Sequence, residues 1–299
     1  MSTLIPLRTL LVMGASGFLG RRVVDLLMEA RAGTVIAASR SPDKISNVTL
    51  RGAEVREADP DDPASLDAAF VGVHRMLIIS TDAIDSTGRR LQRNRNAIEA
   101  AARAGVQHIV YTSVSSAAPD SVLACSPDHY ETEQMLAASS LGWTVLRKNI
   151  YAENLLPALT QAVATGRWET AAGDGYAAYI TREDYAQAAA ASIAYSFDGR
   201  HTLDVTGPMG VSHAMIARWL SETTGKPVTY VAVELASVVA KLIEAGLSPE
   251  EAETQASFDA GVARGEFAKS SRVVAELTGR PPMNIPSFIR AHRPRLLGI

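Results

Sequence analysis

Short runs of consecutive hydrophobic residues alternate along the first half of the chain with stretches in which apolar residues recur every three to four positions. The runs are typical of strands buried on both faces, and the stretches are typical of amphipathic helices. The pattern predicts strands at residues 9–13, 34–39, 53–57, 73–80, 107–113 and 143–148, with the clearest helices at 91–104 and 130–138. Strands and helices that alternate in this way predict a doubly wound parallel α/β sheet, the Rossmann fold, with right-handed crossovers.

Three glycines, Gly14, Gly17 and Gly20, follow the first predicted strand and lead directly into a helical pattern. The first can turn the chain tightly, the second carries no side chain to keep a diphosphate off the backbone, and the third lets the helix pack close to the strand. The free N–H groups at the start of that helix attract phosphate oxygens. A glycine turn can also bind nothing, but the strand and helix around it favour a dinucleotide. We expect the cofactor to contact Gly14, Ala15, Ser16, Gly17, Phe18 and Leu19.

The residues that follow the next strands refine this expectation, because ligands of such folds bind at the carboxyl ends of the strands. Arg40 stands after the second strand, where a site that prefers NADH carries a carboxylate, and Lys44 is nearby. A guanidinium pairs well with a 2′-phosphate, so we expect NADPH to be preferred over NADH. The alternative is that Arg40 is a solvated surface charge. Asp59 is a candidate to accept from the adenine amino group, although residues 59–62 equally predict a cap for the following helix. Ile79, Ser80 and Thr81 are expected along the ribose and pyrophosphate.

The pattern changes after residue 150. Helices are predicted at 154–165, 182–194, 212–223, 235–245 and 249–263, and short strands at 201–205 and 228–231. Thr181 is a plausible cap of the alanine-rich helix that follows it, and residues 280–282 form a helix stop. We therefore expect residues 1–150 to form the dinucleotide-binding domain. Residues 151–299 are expected to form a smaller α/β lobe on the substrate side, interleaved with the first domain.

Composition narrows the possible partners. The net charge of −3 and the lack of a basic block give no reason to expect a nucleic-acid or membrane partner. No apolar run reaches the roughly 18 residues of a membrane helix. The single cysteine, Cys125, excludes an internal disulfide and suits a cytoplasmic protein. The six histidines are scattered without ligand spacing, so we expect no metal site.

Several further segments, taken in order, resemble the short-chain dehydrogenases and reductases. The usual members carry a catalytic tyrosine and a lysine four residues apart, but here no lysine follows Tyr130 at that distance. The chain instead resembles the atypical NmrA-like branch, within it the NADPH-dependent type 2 quinone oxidoreductases and triphenylmethane reductases. The resemblance rests on the glycine motif, Arg40 and residues 111–113, 129–133, 146–147, 151–154 and 172–175.

This resemblance implies direct hydride transfer from NADPH to a quinone or a similar conjugated acceptor, with no strong general acid required. It also implies that Asn149, Ile150 and Tyr151 line the nicotinamide. Tyr151 is the first catalytic candidate, because it can stack on the acceptor or donate to an oxyanion; the alternative is a core aromatic residue. His129, the second candidate, forms either a proton relay with Glu133 or a structural pair.

Other functions remain open at this point. A redox-sensing regulator of the NmrA type would bind NADP(H) without turning it over, and the missing dyad is compatible with that function. A reductase of an azo dye, an imine or an enone would use the same fold. The sequence leaves open whether the protein is a monomer or a homodimer, and which small-molecule acceptor it uses.

Overall fold

The computed structural model describes residues 8–80, 88–195 and 199–299. The strands that precede residue 150 are β1 (Thr9–Met13), β2 (Thr34–Ser39), β3 (Glu54–Glu57), β4 (Arg75–Ile78), β5 (His108–Val114) and β6 (Gly142–Lys148). The later strands are β7 (Arg167–Thr170), β8 (Tyr176–Ala177), β9 (Arg200–Val205), β10 (Val211–Ser212) and β11 (Thr229–Ala232).

The helices up to residue 194 are α1 (Phe18–Glu29), α2 (Pro63–Ala69), α3 (Arg89–Arg103), α4 (Ser126–Ala138), α5 (Leu156–Thr165) and α6 (Arg182–Ala194). The later ones are α7 (His213–Thr224), α8 (Leu235–Glu244), α9 (Pro249–Ala263), α10 (Val273–Thr278), α11 (Ile285–Ala291) and α12 (Arg293–Leu297). Two 3₁₀ helices cover Pro42–Arg51 and Ala152–Leu155. Among the described helices, none combines the length and the apolar character that crossing a bilayer requires.

Seven strands form the central sheet in the order β3-β2-β1-β4-β5-β6-β9. Strand β1 pairs in parallel with β2 on one side and with β4 on the other, so that Leu11 lies opposite both Ile36 and Met76. All three side chains are completely buried, as expected of a sheet covered on both faces. The strand order reverses at β1, and a crevice for a ligand forms at this switch point in doubly wound sheets. The predicted fold class is confirmed.

By contacts within the chain, the molecule divides into two compact units. The first comprises Met1–Ser113, Asp128–Arg147 and Ala186–Leu203, and the second comprises Val114–Pro127, Lys148–Tyr185 and Asp204–Ile299. The core of the first unit is formed by side chains of the central sheet and of α2 and α3, among them Phe70 and Ile109. The second unit contains the parallel pair β7 and β11, the antiparallel pair β8 and β10, and a core that includes Trp168 and Phe288.

Candidate dinucleotide and acceptor site

The three glycines of the turn after β1 have three different structural roles. Gly14 adopts a positive φ of 87°, which a side chain would strain. A Cβ on Gly20 would lie 2.3 Å from the Gly14 carbonyl oxygen, so only glycine allows α1 to start this close to the turn. Gly17 is exposed, and a Cβ there would meet nothing nearer than 3.5 Å. The turn is therefore closely packed on the protein side and open at Gly17.

The start of α1 is available to an anion. Gly17 is the N-cap and contributes no side-chain cap bond, and the first turn contains no acidic residue. The first N–H groups of a helix lack partners within the helix, and they carry the positive end of its dipole. Ser16 and Leu19 are partly exposed beside them, Phe18 is 63% exposed, and Ala15 is buried. These features fit the diphosphate of a dinucleotide, and the individual contacts stay predictions.

Arg40 lies directly after β2, at the same edge of the sheet as the glycine turn. Its side chain is exposed and makes no hydrogen bond or ion pair with the described part of the chain. Lys44 is also exposed, in the 3₁₀ helix that follows. Arg40 and Lys44 thus present two cations that have no ion-pair partner among the described residues, and a 2′-phosphate requires such charges.

The cap predicted within residues 59–62 is Asp62, which accepts the hydrogen bond from the Ala64 N–H at 3.0 Å at the start of α2. One carboxylate oxygen of Asp59 instead accepts from the Asp61 N–H at 3.0 Å. Asp59 is partly exposed, and its second oxygen makes no hydrogen bond within the described residues. That oxygen can accept from an adenine amino group.

The end of β4 is tied to the end of β5. The Ser80 N–H donates to the Thr112 hydroxyl oxygen at 2.9 Å. The side chain of Ile79 packs against the glycine turn. If Gly14 carried a Cβ, that atom would lie 3.3 Å from the Cβ of Ile79. Both residues thus lie at the carboxyl end of β4, and their contact with the cofactor stays a prediction; Thr81 lies outside the described residues.

His129 of α4 is buried and its Nδ1 lies 2.8 Å from the Tyr111 hydroxyl oxygen. The same hydroxyl accepts from the Asn94 amide nitrogen at 3.3 Å. Burial raises the pKa of Tyr111, so the phenol keeps its proton and can donate it to Nδ1 of His129 when that nitrogen carries none. This geometry gives His129 a partner inside the first unit, and its catalytic role stays a prediction.

Glu133, one turn further along α4, is buried, and both of its carboxylate oxygens accept hydrogen bonds. It accepts from the Ser113 hydroxyl at 2.6 Å and from two nitrogens of Arg147, at 3.0 and 2.5 Å. The fork of Arg147 matches both carboxylate oxygens. Glu133 therefore links α4 to the ends of β5 and β6, which favours the structural interpretation of this residue.

Tyr151, in the second unit, lies between two cations. The Lys148 ammonium nitrogen lies 4.9 Å from the centre of its ring, and the guanidinium carbon of Arg182 lies 5.5 Å from it. Tyr185 contacts the ring edge to face, with 5.8 Å between centroids. The Tyr151 side chain is only partly buried, so it is more accessible than an ordinary core aromatic residue.

The segment that holds Tyr151 is fixed by its backbone. Ile180 N–H donates to the Ile150 carbonyl at 3.0 Å, and Ala152 N–H donates to the Ile180 carbonyl at 2.8 Å. Asn149 is 1% exposed; its amide nitrogen donates to the Phe267 carbonyl at 2.9 Å, and its oxygen accepts from the Ile150 N–H. Asn149 and Ile150 are thus buried supports of this segment, and their predicted contact with the nicotinamide remains untested.

Sequence reasoning missed Arg182 as a member of this group. Thr181 accepts from the Asp184 N–H at 3.1 Å, which confirms it as the cap of α6. The Glu153 carboxylate accepts from the Arg182 N–H at 2.9 and 3.0 Å, and the Arg182 guanidinium donates to Asn154 at 3.2 Å. The only sequence signal was the position of Arg182 in the first turn of a helix, and it does not indicate Tyr151 as a neighbour.

The loop at 171–175, which belongs to the same unit, is held by two polar anchors. The Tyr230 hydroxyl donates to the Gly173 carbonyl at 2.7 Å, and the Asp259 carboxylate accepts from the Ala171 N–H at 2.9 Å. Burial raises the pKa of Asp259. Among the described residues, no three histidine, cysteine or carboxylate side chains come together in a way that could hold a metal ion.

Comparison with known proteins agrees with this arrangement. Residues 14–195 match the family described as NAD(P)H-binding. The chain is 36% identical to quinone oxidoreductase 2 of Escherichia coli over 279 residues, which are 93% of this chain and 96% of that protein. A crystal structure of the NADPH-dependent quinone oxidoreductase of Escherichia coli complexed with NADPH superposes with a TM-score of 0.88 at 35% identity, covering 94% of this chain and 99% of the other.

The triphenylmethane reductase of Citrobacter sp., solved with NADP(H), gives a TM-score of 0.87 at 29% identity over 95% of this chain and 99% of the other. The family match covers more than half of the 299 residues, and the match to the quinone oxidoreductase spans nearly the whole length of both proteins. The chain therefore belongs to the NAD(P)H-binding family and, within it, to the NmrA-like branch that its glycine motif and later segments indicate.

Proposed function

We propose that this protein is an NADPH-dependent oxidoreductase that transfers a hydride to a quinone or a similar conjugated, electron-poor acceptor. The observation that carries the proposal is the 36% identity over 93% of the chain to quinone oxidoreductase 2. The structure adds the chemistry that this activity needs. It has a glycine turn open at Gly17, an exposed arginine after β2 that pairs with none of the described residues, and a tyrosine flanked by cations.

The cofactor proposal concerns the first unit. Gly14 to Leu19 would hold the diphosphate, Arg40 with Lys44 the 2′-phosphate, Asp59 the adenine amino group, and residues 79–81 the ribose. When bound, NADPH supplies the hydride. The exposed Arg40 guanidinium can form a bidentate pair with a 2′-phosphate, whereas a ribose hydroxyl offers it no charge. This difference supports NADPH over NADH.

The acceptor proposal concerns Tyr151 and its two cations. A quinone oxygen gains negative charge as the ring accepts a hydride, and a nearby ammonium or guanidinium group stabilises that charge. The Tyr151 hydroxyl can donate a hydrogen bond to the same oxygen. Lys148 and Arg182 both lie within 6 Å of the tyrosine ring, where cation–π attraction holds them. The same charges disfavour a positively charged dye, so we propose neutral or anionic acceptors as the preferred class.

We further propose that residues 1–150 bind the cofactor and residues 151–299 shape the acceptor side, with His129 supporting Tyr111.

We place the reaction in the cytoplasm on the basis of the single cysteine, Cys125. The ring-conjugated acceptor spreads the incoming charge itself, so catalysis depends mainly on holding donor and acceptor in contact.

The test is the oxidation of NADPH, followed by its absorbance, with purified protein and a panel of neutral, sulfonated and cationic conjugated acceptors. NADH is measured in parallel. Oxidation that depends on the acceptor and favours NADPH supports the proposal. Tight NADPH binding without oxidation by any acceptor would contradict it and indicate a cofactor sensor instead.

A further inference from the structure

A cavity of about 320 Å³ opens in the first unit at the start of the strands, the edge opposite the glycine turn. Its lining includes residues that precede or begin β1, β4, β5, β6 and β9. Three of them are arginines, Arg8, Arg75 and Arg200, and none of the described residues that line the cavity is a carboxylate. The proposed oxidoreductase function uses none of these residues.

Two of the arginines are held rigidly by helix ends. Arg75 donates to the carbonyls of Ile193 and Ser192, at 3.0 and 3.2 Å, in the last turn of α6. Arg200 donates to the carbonyls of Ala137 and Ser139, at 3.1 and 2.5 Å, at the end of α4. The carbonyls of Ile193, Ser192 and Ala137 belong to the last turns of these helices, which leave them without a partner within the helix, and the Ser139 carbonyl follows α4 directly. The guanidinium groups are thus fixed in position before any ligand arrives.

Arg8 differs from the other two. Its guanidinium makes no hydrogen bond or ion pair with the described residues, although the side chain is partly buried. A guanidinium has five N–H donors, and the two bonds that Arg200 makes with the described residues leave further donors on that group. Within the described residues, the cavity therefore contains Arg8, whose guanidinium makes no hydrogen bond, and Arg200, whose guanidinium keeps N–H groups that can donate to a ligand.

The charge balance of the cavity is positive. His108 adds no charge near neutral pH, because burial and the nearby Arg75 lower its pKa to about 3. Its Nε2 lies 2.9 Å from the Thr144 hydroxyl oxygen. Each helix end contributes roughly −0.5 of a charge, so the ends of α4 and α6 offset about one of the three positive charges. A net charge of about +2 remains among the described groups.

The cavity floor is built around a glycine. A Cβ on Gly142 would lie 2.8 Å from Nδ1 of His108 and 3.0 Å from the Gln107 carbonyl. Gly142, which lines the cavity, therefore leaves no room for a side chain at this position. The side chains of Gln107 and Ser140 add neutral hydrogen-bonding groups to the lining.

We propose that this cavity is a second binding site, separate from the cofactor site, for a small multivalent oxyanion such as a phosphate compound or a polycarboxylate. Guanidinium groups bind both kinds of oxyanion through paired N–H donors. The cavity is large enough for more than a single water molecule and is lined mainly by polar groups.

The experiment is calorimetric titration of the protein with pyrophosphate and, separately, with citrate, at constant ionic strength. Saturating NADPH is present throughout, so that the phosphate positions of the cofactor site are filled. Hydrogen bonds to charged groups contribute about 1.5–3 kcal/mol, so Arg8→Gln is expected to weaken binding by about tenfold or more. The oxyanion that binds more tightly to the wild type identifies which chemistry the site prefers.

Arg95→Gln is the matched control, because Arg95 is an exposed arginine of the same unit that does not line the cavity. It removes the same charge and is expected to leave the affinity unchanged. Arg200→Lys keeps the positive charge but loses the paired N–H donors of the guanidinium, so this variant is expected to bind the oxyanion more weakly than the wild type does. Circular dichroism checks that the variant is folded. Equal affinity in wild type and Arg8→Gln, an equal loss in Arg95→Gln, or no binding of either oxyanion by the wild type would overturn the proposal.

Discussion

The Lys148 ammonium lies 4.9 Å from the centre of the Tyr151 ring, although the usual Tyr and Lys pair of the short-chain reductases is missing from α4. Lys148 is the last residue of β6, and Tyr151 follows it by three positions. The extended segment between them is fixed by the buried Asn149. A tyrosine and a lysine are thus brought together by the end of a strand instead of by a helix.

Replacing Tyr151 with Phe removes only the hydroxyl group. If Tyr151 donates to the acceptor oxygen, turnover of a quinone should fall by about tenfold, which is less than the roughly hundredfold or more usual for a positioned donor, because the conjugated ring spreads the charge. The affinity for NADPH should stay unchanged. Steady-state kinetics and cofactor titration measure the two quantities, and unchanged turnover would remove Tyr151 from the catalytic residues.

Replacing Lys148 with Met tests the electrostatic preference. Two charges about 4 Å apart near a protein surface interact by up to about 4 kcal/mol, and solvent and salt reduce this. We therefore expect kcat/KM for a sulfonated quinone to fall by threefold to tenfold or so relative to that for a cationic dye. Lys226→Met, which removes an exposed lysine of the same unit, is the control. An equal change in both variants would refute a local effect of Lys148.

Replacing Arg40 with Ala tests the choice of cofactor. Loss of a charge-assisted contact to the 2′-phosphate should weaken NADPH by about tenfold to a hundredfold and leave NADH nearly unchanged. Fluorescence titration with each cofactor gives the ratio directly. If both cofactors weaken equally, Arg40 does not contact the 2′-phosphate.

Replacing Glu133 with Gln separates the two interpretations of the residue. The variant keeps an acceptor for Ser113 but loses the ion pair with Arg147, so the free energy of unfolding should fall by about 2 kcal/mol. A structural residue should leave the pH dependence of kcat unchanged. Urea unfolding and a pH profile distinguish these effects, and a changed profile in a stable variant would favour the proton relay.

Local patterns predicted the elements well where they are bounded by clear signals. Strand β2 begins and ends at the predicted residues because a buried run lies between Gly33 and an exposed arginine. The helix predicted from residue 154 is interrupted, since a 3₁₀ helix covers Ala152–Leu155 and α5 starts at Leu156. Pro157 explains the break, because proline favours the first turn of an α-helix.

Contacts between distant segments could not be predicted in this way. Tyr151 pairs with Ile180 through an isolated bridge, and this pairing brings Arg182 beside the tyrosine. No periodicity relates residues so far apart. The starts of neighbouring parallel strands share one edge of a sheet, and Arg75 and Arg200 begin β4 and β9 there. Their meeting around a cavity required the strand order.

The stability of the second unit should depend on the protonation of His213. This residue is 2% exposed, with its Nδ1 2.7 Å from the Thr170 hydroxyl and its Nε2 2.7 Å from the Tyr179 hydroxyl. Burial lowers the pKa of His213 from 6.5 to about 4. Between pH 6.5 and about 4, the unfolded chain therefore binds a proton at this histidine that the folded chain does not bind. The contribution of His213 to the free energy of unfolding is lost as the pH falls from 6.5 towards 4.

The size of this loss follows from the shift. A lowering from 6.5 to about 4 corresponds to roughly 3 kcal/mol of unfolding free energy. Urea unfolding of wild type and His213→Gln across that pH range measures it. The buried His108 titrates in the same direction in both proteins, so the difference between their pH dependences isolates His213. The variant should be less stable at neutral pH and lose less stability on acidification; parallel curves would show that His213 does not control this dependence.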